Sequence, residues 1–142
     1  MKSRLIRPAA AGVAYAIVVF GVGFVLGTIR TFLVAPRTGL TLAVLIELPV
    51  ILATSWWISR LCVAHIEVSR AVAARVVMGA VAFLVLMVSE VTLSKAIFGR
   101  PVVEYLAGLT TFAGAIGLAG QVAFAGIPLI EATLGRPPAS DR

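Results

Sequence analysis

Pro8 to Thr28 reads PAAAGVAYAIVVFGVGFVLGT, 21 residues without one charged side chain. An α-helix rises about 1.5 Å per residue and the hydrocarbon core of a bilayer is about 30 Å thick, so about 20 apolar residues suffice to cross it. The stretch therefore predicts a membrane span. Within it, Ala14-Tyr15-Ala16 mimics a small-x-small cleavage site. A cleaved signal needs its apolar region before that site, whereas most of the apolar residues here follow it, so the segment reads as an uncleaved anchor.

Working outward, three more apolar runs follow, and breakers separate them: Pro36-Arg37-Thr38-Gly39, the Arg60 to Arg75 stretch, and Gly99-Arg100-Pro101. The predicted spans cover 8–34, 39–59, 74–98 and 102–131, and a polar tail over 135–142 is expected to be disordered. Composition agrees: 61% of residues are hydrophobic, 13% are charged, and the mean hydropathy is +1.09. Soluble domains carry roughly 25% charged residues. The sequence thus predicts an all-α membrane protein, a four-transmembrane-helix bundle forming one domain over 1–134. The net charge of +6 does not point to nucleic acid, because the basic residues flank apolar segments. Cys62 is the only cysteine, which excludes an intrachain disulfide.

Four spans put both termini on one side. That side holds Lys2, Arg4, Arg7, Arg60, Arg70, Arg75, Arg136 and Arg142, eight residues, against the four residues Arg30, Arg37, Lys95 and Arg100 on the other. The positive-inside bias places both termini in the cytoplasm, and the expected location is a bacterial-type inner (plasma) membrane. Trp56 and Trp57, just before Arg60, then fall where an interfacial aromatic anchor belongs. Between the second and third spans, Arg60, Glu67, Arg70 and Arg75 share one helical arc. Two readings fit that arc: a short helix lying on the membrane surface, or plain extensions of the flanking spans. Cys62-x-x-His65 supplies at most two metal ligands, with Glu67 a third, far short of a four-ligand pattern; no metal and no cofactor are expected.

Small residues mark faces for close helix approach. Gly12, Ala16, Gly23 and Gly27 lie on the first span, and Ala107, Thr110, Gly114, Gly117 and Gln121 follow one ridge of the fourth. Lipid tails are as apolar as leucine, so such faces must meet protein, either inside the bundle or in a second copy or a larger membrane complex. Pro49 and Pro128 each lack the N–H of an intrahelical bond, which frees the carbonyls of Leu45 and Phe124 one turn earlier.

The chemistry-bearing residues are the charges inside the spans. Measured from the predicted helix ends, Arg30 lies about 8 Å deep and Glu47 and Glu90 about 12 Å deep, all in the half of the membrane away from the termini. Lys95 is five positions from Glu90 and on a different face, so the partner of Glu90 must come from another helix. The expected cluster is Arg30, Glu47 and Glu90, completed at similar depth by Arg37, Tyr105 and Thr110. Ionisable groups in spans cost several kcal/mol and mark function by default. No paired-His motif, nucleophile elbow or phosphate loop accompanies them, so catalysis is not expected. Two functions fit: a small binding or transport module using this cluster, or a non-catalytic accessory subunit of a larger membrane complex. The first predicts polar side chains converging on a cavity; the second predicts filled packing.

Overall fold

The computed structural model describes residues 2–135 of the 142, with side chains from Leu5 onward. The expected disordered tail lies, apart from Gly135, outside the described residues. Helix α1 covers Lys2–Ile29 and runs through a wide π-type turn, Arg30–Val34, into α2, Ala35–Thr38. The others are α3 (Leu40–Ile66), α4 (Val72–Phe98), α5 (Val102–Leu109) and α6 (Phe112–Leu134), and no strand occurs among the described residues. Four segments are long and apolar enough to cross a membrane: Leu5–Thr38, Leu40–Ile66, Val72–Phe98 and Phe112–Leu134. They mark an integral membrane protein. In lipid every backbone group must be bonded internally, and continuous helices do this.

Breaks occur where the backbone allows them. Gly39 (φ 82°) separates α2 from α3, Glu67 (φ 55°) ends α3 in the left-handed region, and Gly99 (φ 62°) ends α4 with its N–H on the carbonyl of Lys95. The second span runs on to Ile66, beyond the expected end at 59, and the third starts at Val72. No separate surface helix forms over 60–75. Those residues extend α3 and α4, leaving only 67–71 as a connection. The fourth segment also differs from expectation, because the helix over 102–131 breaks at Thr110 and Thr111. Thr111 caps α6 by accepting the Gly114 N–H at 3.1 Å, a bond that a continuous helix would forfeit.

Around the bundle the order is α1, α3, α6, α4, each helix touching its two neighbours. Consecutive helices α3 and α4 are therefore diagonal, as are α1 and α6. Glycines set the closest approaches. A Cβ on Gly12 would stand 2.5 Å from the Met78 carbonyl oxygen of α4. One on Gly79 would overlap the Ala125 carbonyl of α6, and one on Gly120 the Leu48 side chain of α3. The expected ridge is corrected here. Gly117 has nothing within 4 Å of its Cβ position, Gly27 meets only Arg30 of its own chain segment at 3.6 Å, and Gly23 makes an ordinary 3.8 Å contact with Ile51. Gly114 is tight against the carbonyl of Gly108, so it fixes the α5–α6 corner instead of a contact between spans.

Packing is uneven along the bundle axis. In the half nearer the termini, Ala11, Tyr15, Ala16, Met78, Ala82 and Phe124 form a closed core. Tyr15 crosses the α1–α6 diagonal: its ring stacks on Phe124 at 4.4 Å between centroids and its hydroxyl donates to the Phe124 carbonyl at 3.0 Å. That carbonyl is the one Pro128 leaves without an intrahelical donor, so a side chain from across the bundle replaces the missing N–H.

Candidate functional site

Above Tyr15 and Phe124, towards the end away from the termini, the diagonal space is not filled. A cavity of about 490 Å³ extends from Val19, Ser55, Leu86 and Phe124 at mid-bundle to Phe32, Phe98 and Arg100 at that far end. Phe32 and Phe98 are 74% and 64% exposed, so the cavity reaches the surface there.

Five of the polar wall groups, Arg30, Glu47, Glu90, Tyr105 and Gln121, come from five different elements. Arg30 enters from the π-type turn, and such a turn often marks a functional site because it redirects a side chain that a regular helix would place elsewhere. Its Nη1 lies 2.9 Å from Glu47 Oε2 of α3, with side-chain exposures of 32% and 15%. This is an ion pair by distance but lies off the line of a hydrogen bond, so Arg30 Nε and Glu47 Oε2 remain buried without a hydrogen-bond partner. Glu90 on α4 is held differently. Its Oε2 accepts from the Tyr105 hydroxyl of α5 at 2.7 Å and from Gln121 Nε2 of α6 at 2.6 Å. Both donors are neutral, and among the described residues no Lys or Arg nitrogen lies within ion-pair distance of Glu90.

The cavity thus gathers four of the six residues named from sequence: Arg30, Glu47, Glu90 and Tyr105. Arg37 and Thr110 are elsewhere. The Arg37 guanidinium donates to the Leu33 carbonyl at 2.5 Å, one turn back on its own helix, and the Thr110 hydroxyl to the Ala107 carbonyl at 2.7 Å; both are exposed. Gln121 and Gly117, read as packing residues, both line the cavity. Trp56 is half-buried and Trp57 is 70% exposed, and with exposed Arg60 they lie towards the terminal end of α3. Cys62 and His65 belong to no cluster of three or more metal-ligating side chains among the described residues, and His65 Nδ1 lies 2.9 Å from the carbonyl of Leu61.

A second polar group closes the terminal end, and sequence reasoning missed it. Arg75, only 4% exposed, donates through Nε to the Ser69 carbonyl at 3.0 Å, and its Nη1 stands 4.0 Å from Glu131 Oε2. The Ser59 hydroxyl, fully buried, donates to the same Glu131 oxygen at 2.9 Å. Arg75 counts in the sequence only as a charge on the side of the termini, and Glu131, the last residue of the predicted fourth span, enters no charge cluster there, so this contact stayed hidden. The available signal was spacing: Gln121, Phe124, Pro128 and Glu131 recur at three- and four-residue intervals and so share one face.

Chemically, the site offers unpaired acceptors in an apolar, aromatic-walled space, closed below and open above. Comparison of the chain with protein-family models, with curated proteins and with solved structures gives no match.

Proposed function

We propose that this protein is a small solute-binding or transport module of a bacterial-type inner membrane, with both termini in the cytoplasm and the cavity opening on the outer side. One observation carries the reading: polar side chains of the π-type turn, α3, α4, α5 and α6 converge on a single unfilled cavity. An accessory subunit needs no such space, and filling it with side chains would stabilise the bundle. Its volume of about 490 Å³ falls in the range of small-molecule sites. The opening at one end, with the Tyr15–Phe124 stack and the Ser59–Glu131–Arg75 group at the other, matches one state of a carrier that exposes its site to the two sides in turn. The orientation rests on the eight-to-four distribution of Lys and Arg.

The test is thermal unfolding of the purified chain in nanodiscs against a panel of small organic cations, anions and zwitterions, wild type beside Gly117→Leu. At least one class should raise the melting temperature of the wild type and fail to do so when the leucine fills the cavity. No stabilisation by any class, with the chain recovered only in a fixed-stoichiometry complex, refutes the module and supports the accessory role.

A further inference from the structure

The charge balance of the cavity specifies its ligand class, an inference that rests on the binding-module reading above. Arg30 and Glu47 neutralise each other at 2.9 Å, and Arg100 keeps its positive charge at the exposed rim, over the ring of Phe98 with its guanidinium carbon 5.6 Å from the centroid. Inside the cavity, that leaves Glu90 as the carboxylate with no cation within ion-pair distance among the described residues. A charge held inside a bundle needs compensation. Here Glu90 Oε2 takes two neutral donors, while Oε1 makes no hydrogen bond and is not among the fully buried unpaired atoms, so it is open to the cavity.

Outside the Arg30–Glu47 pair, the polar atoms left without a partner are acceptors: Gln121 Oε1 is buried without a donor, and Glu90 Oε1 makes no hydrogen bond. The orientation of the Gln121 amide is fixed, because its Nε2 must face the carboxylate of Glu90. A ligand satisfying this set brings positive charge and N–H groups. Most of the remaining wall is apolar, and Phe20, Phe24, Tyr105 and Phe124 contribute rings whose faces attract cations. A bare divalent ion does not fit, since hard cations need about six oxygen ligands and this wall offers no group of three metal-ligating side chains among the described residues.

We propose that the cavity binds a monovalent organic ammonium with a hydrophobic, aromatic-sized body, Glu90 acting as its counter-charge and Gln121 Oε1 as a hydrogen-bond acceptor. Arg30 and Glu47 are then a wall pair that hold α1 to α3, and the charge that selects the ligand is that of Glu90.

A charge-inverted pair of probes on nearly one skeleton tests this: phenethylammonium and phenylacetate, titrated calorimetrically into the protein in nanodiscs. The wild type should bind the ammonium and not the carboxylate, and Glu90→Gln should weaken the ammonium by about tenfold or more while retaining a cooperative melt. Should that variant not fold, protection of wild-type Glu90 from an apolar carbodiimide, located by mass, answers the same question: the ammonium should protect and phenylacetate should not. Binding of phenylacetate in preference, lost on Arg30→Leu, overturns the cation assignment and leaves the binding module standing. Equal ammonium binding by wild type and Glu90→Gln overturns the counter-charge role. Binding of neither probe overturns the ligand class when another solute stabilises the protein in a Gly117-dependent way, and overturns the binding module as well when none does.

Discussion

Replacing Tyr15 by Phe removes one oxygen and keeps the ring stacked on Phe124, so it isolates the hydroxyl's bond to the Phe124 carbonyl. Tyr15 is fully buried, so water cannot take over the vacated position. Pro128 has no N–H, so the helix cannot supply a donor either. Hydrogen bonds between membrane helices are worth about 0.6 kcal/mol on average and up to about 1.7, the low mean reflecting alternative partners. With the helix donor missing and the position closed to water, the loss falls towards the upper end, about 1.5 kcal/mol. In a Pro128→Ala background the alanine N–H reaches the Phe124 carbonyl within its own helix, and Tyr15→Phe should then cost about 0.5 kcal/mol. The coupling of about 1 kcal/mol is read from a double-mutant cycle by reversible unfolding in mixed micelles titrated with dodecyl sulfate, where the separate effect of removing the proline cancels. Additivity to within about 0.3 kcal/mol refutes the idea that Tyr15 stands in for the missing helix donor.

Three further outcomes follow from the same geometry. Gly79→Ala should lower stability by about 1–3 kcal/mol, because its Cβ falls on the Ala125 carbonyl, whereas Gly117→Ala should stay within about 0.5 kcal/mol; equal melting temperatures for the two contradict the packing described. Arg75→Met strands the Glu131 carboxylate with Ser59 as its donor and should cost about 3 kcal/mol or more, with a substantial part recovered by adding Glu131→Leu; no recovery disproves the pair. Arg30→Leu should be non-additive with Glu47→Gln and nearly additive with Glu90→Gln, since only Glu47 lies within ion-pair distance; the reverse pattern in unfolding measurements rejects the cluster as described.

Fold class was legible because span length and the absence of charge are properties of single segments. Contacts between segments were less so. Arg30 and Glu47 came together because depth along two antiparallel helices can be counted from their ends, but depth alone does not fix azimuth, which is why Arg37 and Thr110 were wrongly included. The glycine ridge misled for the same reason. A small residue signals either close approach or open space, and Gly79 and Gly117 illustrate the two outcomes. The break at Thr110–Thr111 lay hidden in an uncharged run, since a threonine cap competes with helix continuation by a margin that hydropathy does not register. Pro128 was the most informative single residue: it announced a free carbonyl at Phe124, and the structure supplied the partner, Tyr15, from the diagonal helix.

Accessibility of a single cysteine tests the cavity most directly. In a Cys62→Ser background, Gly117→Cys should react with a membrane-impermeant thiol reagent added to the side opposite the termini, at a rate within reach of an exposed Thr38→Cys control, while Ser59→Cys below the Tyr15–Phe124 stack stays unreactive from both sides. An unreactive Gly117→Cys beside a reactive Thr38→Cys contradicts the account, for it means a filled bundle with no site to serve.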